Sequence, residues 1–133
     1  QNRVNNVELS VMDIAELNII KTALESSQLY DMILNTVDIE MFEFHSNEFY
    51  LLLNDKNNSQ LVGISLKDEI KVFDEEQLKS QLNAFLVIFY TKQLQKVKFD
   101  VSMEYKKKIK AIRKIQENIK ILKKGGLVPF SKL

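Results

Sequence analysis

Cysteine and tryptophan are absent from this 133-residue chain, proline and histidine occur once each, and glycine three times. Each scarcity excludes something. Without cysteine there is no disulfide, no thiolate nucleophile and no thiolate metal site, and a reducing cytoplasm is the compartment that fits. The single histidine, His45 in "EFHSNE", has Glu43 and Glu48 nearby. A metal site needs a further good ligand at a defined spacing, so His45 reads as structural or solvated. Gly63, Gly125 and Gly126 fit neither a P-loop nor a dinucleotide-binding turn. The serines stand where helix caps are wanted, with no Gly-flanked nucleophile elbow, and Glu75 and Glu76 read as first-turn helix charge. The expectation is a chain that is not itself an enzyme and takes no metal and no cofactor. The most apolar run, "AFLVIFY" at residues 84–90, is seven residues long and flanked by polar helix formers. It is too short to span a bilayer, and no secretory signal opens the chain.

What is present is the composition of a folded protein, with 45% hydrophobic and 28% charged residues. The length suits one domain, or one domain with a small appendage. Because the chain opens on Gln1 rather than Met, it is expected to be a piece of a longer polypeptide. Residues 1–7 then read as a linker remnant, 8–73 as a helix bundle, and 74–133 as a long helix and a C-terminal helical hairpin with a short tail. So few breakers, combined with long patterns of period 3.6, predict an all-α fold.

The first helix is expected after Ser10, with Asp13 three residues on as a capping pair, and with Ile14, Leu17, Ile20 and Leu24 on one face. A short helix at 28–35 shows Leu29, Met32 and Ile33. Asp38 can cap a single turn through Phe42, and Ser46 a helix over 47–53. Residues 54–60 read as a polar loop. "LVGIS", residues 61–65, could be a strand but has no partner strand, and a short helix from Leu66 is preferred. The longest helix starts at Asp74, where Gln77 completes a capping pair. Leu78, Leu82, Phe85 and Phe89 follow on one face, widened by Leu86 and Ile88. "FDVS", residues 99–102, supplies a turn in which Asp100 and Ser102 could cap the next helix, over 103–124. There Ile112, Ile115, Ile119 and Leu122 make a narrow 3-4-3 seam, with Tyr105 one heptad earlier. Lys123 and Lys124 suit the helix dipole, Gly125 stands just past the helix end, and Pro129 follows.

Charge is split along the chain. Residues 98–133 hold eleven Lys or Arg against three Asp or Glu, whereas residues 1–97 hold eight against fifteen. The basic end admits several readings besides a plain solvated face. Lys106, Lys107, Lys108, Lys110, Arg113 and Lys114 could neutralise phosphates, but Tyr105 is the only aromatic beside them, short of a stacking platform. A membrane-surface helix would want Trp or Phe on its apolar face. The isoleucine seam favours packing against a partner protein. Burying Ile112, Ile115, Ile119 and Leu122 stabilises by roughly 1.5–3 kcal/mol each, much of it offset by ordering. Such a hairpin gains by docking on another surface, and an acidic, helical one suits it.

"ELNIIKTALESSQLYDMILNTVDIEMFEFHSNEFYLLL", residues 16–53, resembles the helical module shared by the C-terminal domain of bacterial DNA primase (DnaG) and the N-terminal domain of the replicative helicase (DnaB). Glu16, Ile19, Ile20, Ala23 and Leu24 stand in the opening helix and Leu29 at the start of the second. Phe42 follows the Asp38 turn, and Phe49 stands in the next helix. The family's usual proline is replaced by Ser27 or Gln28. The order that follows, a long helix, a turn and a terminal helix "IRKIQENIKILKKGG", resembles the primase member of the pair, over about residues 7–130.

The resemblance implies a non-catalytic helicase-binding domain whose parent is a primase, a nucleotidyltransferase with its catalytic and zinc-binding parts upstream. The hairpin would dock on the N-terminal collar of a DnaB-type helicase, recruiting primase to the fork. In the family the last helix carries much of the contact. That places partner binding at Arg113, Lys114, Gln116, Lys120, Lys123 and Lys124. Leu127, Val128 and Phe130 either fold back on the hairpin or add an anchor. Also implied are a basic patch for the acidic tail of single-stranded DNA-binding protein and a cytoplasmic location at replication forks, while the residues themselves argue for weak or no direct nucleic-acid binding and no membrane. The other readings are a nucleic-acid-binding domain using the basic terminal helix, or the N-terminal domain of a DnaB-type helicase.

Overall fold

The computed structural model of the protein describes the backbone of residues 2–131 and the side chains of residues 11–131. In order they form α1 (Asn2–Glu25), α2 (Ser27–Thr36), a 3-10 turn (Ile39–Met41), α3 (Ser46–Asn54), α4 (Ser59–Leu66), α5 (Glu75–Lys98) and α6 (Tyr105–Lys123). No strand occurs among the described residues, so the fold is all-α as expected. The chain divides into two compact units, Gln1–Leu78 and Lys79–Leu133, and the division falls just after the first turn of α5.

In the first unit α1 packs against α2, α3 and α4. It starts at Asn2, so the linker expected over residues 1–7 is helical from its second residue, and Ser10 lies within the helix. Asp13, expected to help cap it, points to His45 instead. The buried face also departs from the 3.6-period reading. Ile20 is buried, but Ile14 is exposed and Leu17 and Leu24 are half-buried. Buried instead is nearly the whole circumference over residues 16–23, polar residues included.

Those polar residues are buried because each is bonded to backbone. Asn18 Oδ1 accepts from the Lys71 N–H at 2.7 Å, and Thr22 Oγ1 from the Phe73 N–H at 3.0 Å. Lys21 Nζ donates to the carbonyls of Lys67 at 2.7 Å and Ile70 at 3.0 Å. The extended segment between α4 and α5 is thereby strapped along α1. An unpaired buried ammonium would be costly, whereas one with two carbonyl acceptors is tolerated.

Local chemistry sets most helix starts. Ser26 Oγ accepts from the Leu29 N–H at 3.2 Å, and Asp38 opens the 3-10 turn. α3 is capped by His45 rather than Ser46, without a side-chain bond, because Ser46 is already the first helical residue. Phe42 and Phe49 stack with ring centroids 4.4 Å apart. The segment read as loop and possible strand is α4. Asn58 Oδ1 accepts from the Gln60 N–H at 2.9 Å and starts a helix that ends at Leu66, where one was expected to begin. Leu61 and Ile64, three apart, are its buried face. Gly63 within it costs only about 1 kcal/mol relative to alanine, too little to overrule the cap and the buried pair.

α5 opens on a reciprocal capping box. The Asp74 N–H donates to Gln77 Oε1 at 3.0 Å, and the Gln77 N–H to Asp74 Oδ1 at 2.8 Å. Leu78, Leu82, Phe85 and Leu86 are buried, Phe89 is half-buried and Ile88 is exposed. α6 starts at Tyr105 rather than Met103, because Asp100 Oδ1 accepts from the Ser102 N–H at 2.9 Å and its hydroxyl at 2.6 Å and closes a turn instead of capping a helix. The far end of α6 is a Schellman stop. The Gly126 N–H donates to the Ile121 carbonyl at 3.1 Å and the Gly125 N–H to that of Leu122 at 2.9 Å. Gly125 supplies the left-handed φ of 93° that this stop requires.

His45 joins α1 to the start of α3. Its Nδ1 bonds Glu48 Oε2 at 3.0 Å and its Nε2 bonds Asp13. Both partners are carboxylates, which accept, so both ring nitrogens donate and the imidazolium is the form that fits. Burial lowers the His45 pKa, but the bonds to Asp13 and Glu48 outweigh it and raise it above the ordinary value. A raised folded-state pKa stabilises fully below the unfolded value and ceases to do so as pH climbs through the folded one. The wild-type chain is therefore expected to lose on the order of 1 kcal/mol across that interval, a small effect because solvent reaches Asp13. Urea denaturation at pH steps from 5.5 to 9 checks this, with His45→Gln expected to flatten the dependence.

Candidate partner-binding surface

The surface on which most of the candidate residues fall is the outside of α6, and it depends on how α6 is held. Asn83 of α5 donates from Nδ2 to the Leu122 carbonyl at 2.7 Å and to the Gly126 carbonyl at 2.9 Å. At the other end Lys108 Nζ donates to the Lys98 carbonyl at 3.2 Å. These bonds fix an antiparallel hairpin and its register. Ile115 and Leu122, one heptad apart, are buried, while Ile112 and Ile119 are half-buried. Tyr105 is 74% exposed and stands outside the buried line. As the first helical residue, it projects past the point where Lys98 ends α5.

With that line turned inward, Arg113, Lys114, Gln116, Lys120, Lys123 and Lys124 are all exposed. Gln116, Lys120 and Lys124 come together with Glu117 and Ile121 around an open depression. Arg113, Lys114 and Lys123 do not line it. Beyond the Schellman stop the chain turns back, burying Val128 and leaving Leu127 and Phe130 half-buried, while Lys132 and Leu133 lie outside the described residues.

Ile121 is the residue that sequence reasoning missed. It falls off the 3-4-3 seam, is 41% exposed, and forms the apolar centre of a frame that is otherwise charged or amide. Its signal was an isoleucine on the polar side of an amphipathic helix, set between Lys120 and Leu122. Gly126 leaves room for it, since a Cβ there would lie 3.0 Å from Ile121 Cγ2. A small apolar centre with a charged rim is the ordinary anatomy of a protein-protein contact.

Reactive groups are not assembled on this surface. Among the described residues no three His, Cys, Asp or Glu side chains could hold a metal ion, and no helix is long and apolar enough to cross a membrane. Arg113 and the lysines of α6 offer donors and charge, not a nucleophile with a base.

Among the described residues the chain is two helical units, and its last helix exposes an isoleucine within a polar frame. Residues 13–129 match the family described as the DnaG-primase C-terminal, helicase-binding domain. The fold is similar to that of the Helicobacter pylori DnaG primase C-terminal domain, with a TM-score of 0.79 at 21% identity, covering 90% of this chain and 98% of that one. No curated protein matches it. The chain belongs to the DnaG-primase C-terminal, helicase-binding domain family.

Proposed function

We propose that the chain recruits its parent primase to the replication fork by docking the outer face of α6 on the N-terminal collar of a DnaB-type hexameric helicase. The observation that carries this reading is Ile121, half-exposed within a frame that includes Lys120 and Lys124, on the last helix of a helicase-binding-domain family member. The isoleucine supplies apolar contact. The lysines steer and register an acidic helical partner, raising the on-rate more than the affinity. In this reading the partner is a protein, and priming chemistry belongs to the parent's other parts.

Calorimetric titration against the N-terminal domain of the cognate helicase tests it. Lys120→Glu combined with Lys124→Glu is expected to weaken binding by roughly tenfold or more while far-ultraviolet circular dichroism stays unchanged. Unaltered affinity would remove the docking face from α6.

A further inference from the structure

The joint between α5 and α6 presents side chains that the hairpin does not use. Phe99, Val101 and Tyr105 are 78%, 98% and 74% exposed. The bonds from Ser102 to Asp100 fix the turn and put Val101 at its apex. The bond from Lys108 to the Lys98 carbonyl holds the first turn of α6 against the last of α5. Phe99 and Tyr105 therefore leave the same end of the hairpin from adjacent helix termini. Around them Lys96, Lys98, Lys106, Lys107 and Lys110 are exposed, and between residues 96 and 110 only Asp100 and Glu104 oppose them. None of these five lysines is ion-paired among the described residues.

We propose that this tip is a binding site for single-stranded nucleic acid, with Phe99 and Tyr105 stacking on bases and Lys96, Lys98, Lys106 and Lys107 meeting phosphates. Aromatic faces interleaved with cations are the chemistry by which unpaired strands are held without sequence preference. In the sequence Tyr105 was the lone aromatic beside the basic run. The hairpin adds Phe99 and so supplies a second platform. Other occupants fit less well. An apolar wedge in a membrane would carry the Asp100 carboxylate with it. Hydrogen bonds from the Ser102 hydroxyl and N–H hold the Asp100 pKa below the ordinary value, so it stays charged. An acidic peptide would want a groove for its side chains, whereas the tip is a convex turn with its apolar groups projecting. The site is distinct from the helicase face, since Tyr105 and Ile121 are about 24 Å apart along the helix. It also departs from the expectation of weak or no direct nucleic-acid binding.

The test is fluorescence anisotropy of a labelled oligothymidylate of about 15 nucleotides with the whole chain, across a salt series. Binding is expected with a log–log salt slope of about −2 to −3, that is about −0.7 for each of three or four phosphates. Phe99→Ala and Tyr105→Ala should each weaken it roughly five- to 150-fold, with helicity and affinity for the helicase domain unchanged. Both residues are exposed, so the variants keep their fold. Binding that survives loss of both aromatics would overturn the proposal, as plain polycation attraction. So would no binding at low salt. Tighter, aromatic-dependent binding to phosphatidylserine vesicles or to an Asp/Glu-rich peptide would overturn it as well.

Discussion

Glu16→Ala is expected to lower the free energy of unfolding by about 3–5 kcal/mol, among the largest effects of any single substitution in this chain. The Glu16 side chain is fully buried, and its carboxylate accepts three backbone N–H groups. They come from Glu43 at 2.8 Å, Phe44 at 3.0 Å and His45 at 2.8 Å, the three residues leading into α3. All three bonds come from backbone amides, whose dipoles compensate the buried charge as at a helix N-terminus. Alanine strands those donors and leaves a cavity, and each buried donor without a partner costs about 1–3 kcal/mol. The same change loosens His45, whose own N–H is one of the three, and with it the bridge to Asp13 and Glu48. Glu16→Gln separates shape from charge. The amide oxygen can still accept, but its NH₂ then faces a donor, so an intermediate loss is expected. Chemical denaturation of the three proteins side by side decides it. A loss below about 1 kcal/mol for alanine would mean that water satisfies those amides.

Glu16 also marks where the sequence stops being readable. The resemblance placed it in the opening helix, but nothing local says that its partners lie 27 to 29 residues on, in backbone that any sequence could provide. The strap over Asn18, Lys21 and Thr22 was invisible for the same reason. A polar residue at such a position reads as solvent-facing, so the expected apolar stripe of α1 was too narrow. By contrast, the Asp74–Gln77 box and the Asp38 turn were legible because donor and acceptor lie within three residues of each other. α4 failed at an intermediate range. Its eight residues show little periodicity, and the Asn58 cap that starts it was hidden in a stretch read as loop.

On the hairpin, the seam pattern located α6 and its polar side, but not which side chains share a surface. Gln116, Lys120 and Lys124 belong together because α6 returns one turn to the same face, and Asn83 holds that end of the helix. Heptad arithmetic puts Tyr105 on the seam, but it assumes a facing helix along the whole length. α5 has already ended opposite it, so the side chain is left to solvent. The sequence marks Phe99 only as a turn residue, and its exposure follows from the fold.

Ile115 and Ile121 give the clearest separation of folding from docking, because the two isoleucines lie on one helix with opposite surroundings. Ile115 is fully buried, and Ile115→Ala is expected to destabilise by about 2–5 kcal/mol. In a hairpin of two helices that is enough to fray α6 and lose partner binding with it. Ile121→Ala removes a side chain that is 41% exposed and should change stability by no more than about 0.5 kcal/mol. If Ile121 is the apolar anchor of the helicase contact, that variant should still lose more than 1 kcal/mol of binding, roughly tenfold in affinity. Thermal denaturation and calorimetric titration on the same preparations read both quantities. Full stability with weakened binding for Ile121→Ala assigns the contact to the outer face of α6. Full stability with full affinity would leave the framed isoleucine a solvent-facing residue, and the helicase would have to be sought on another surface of the chain.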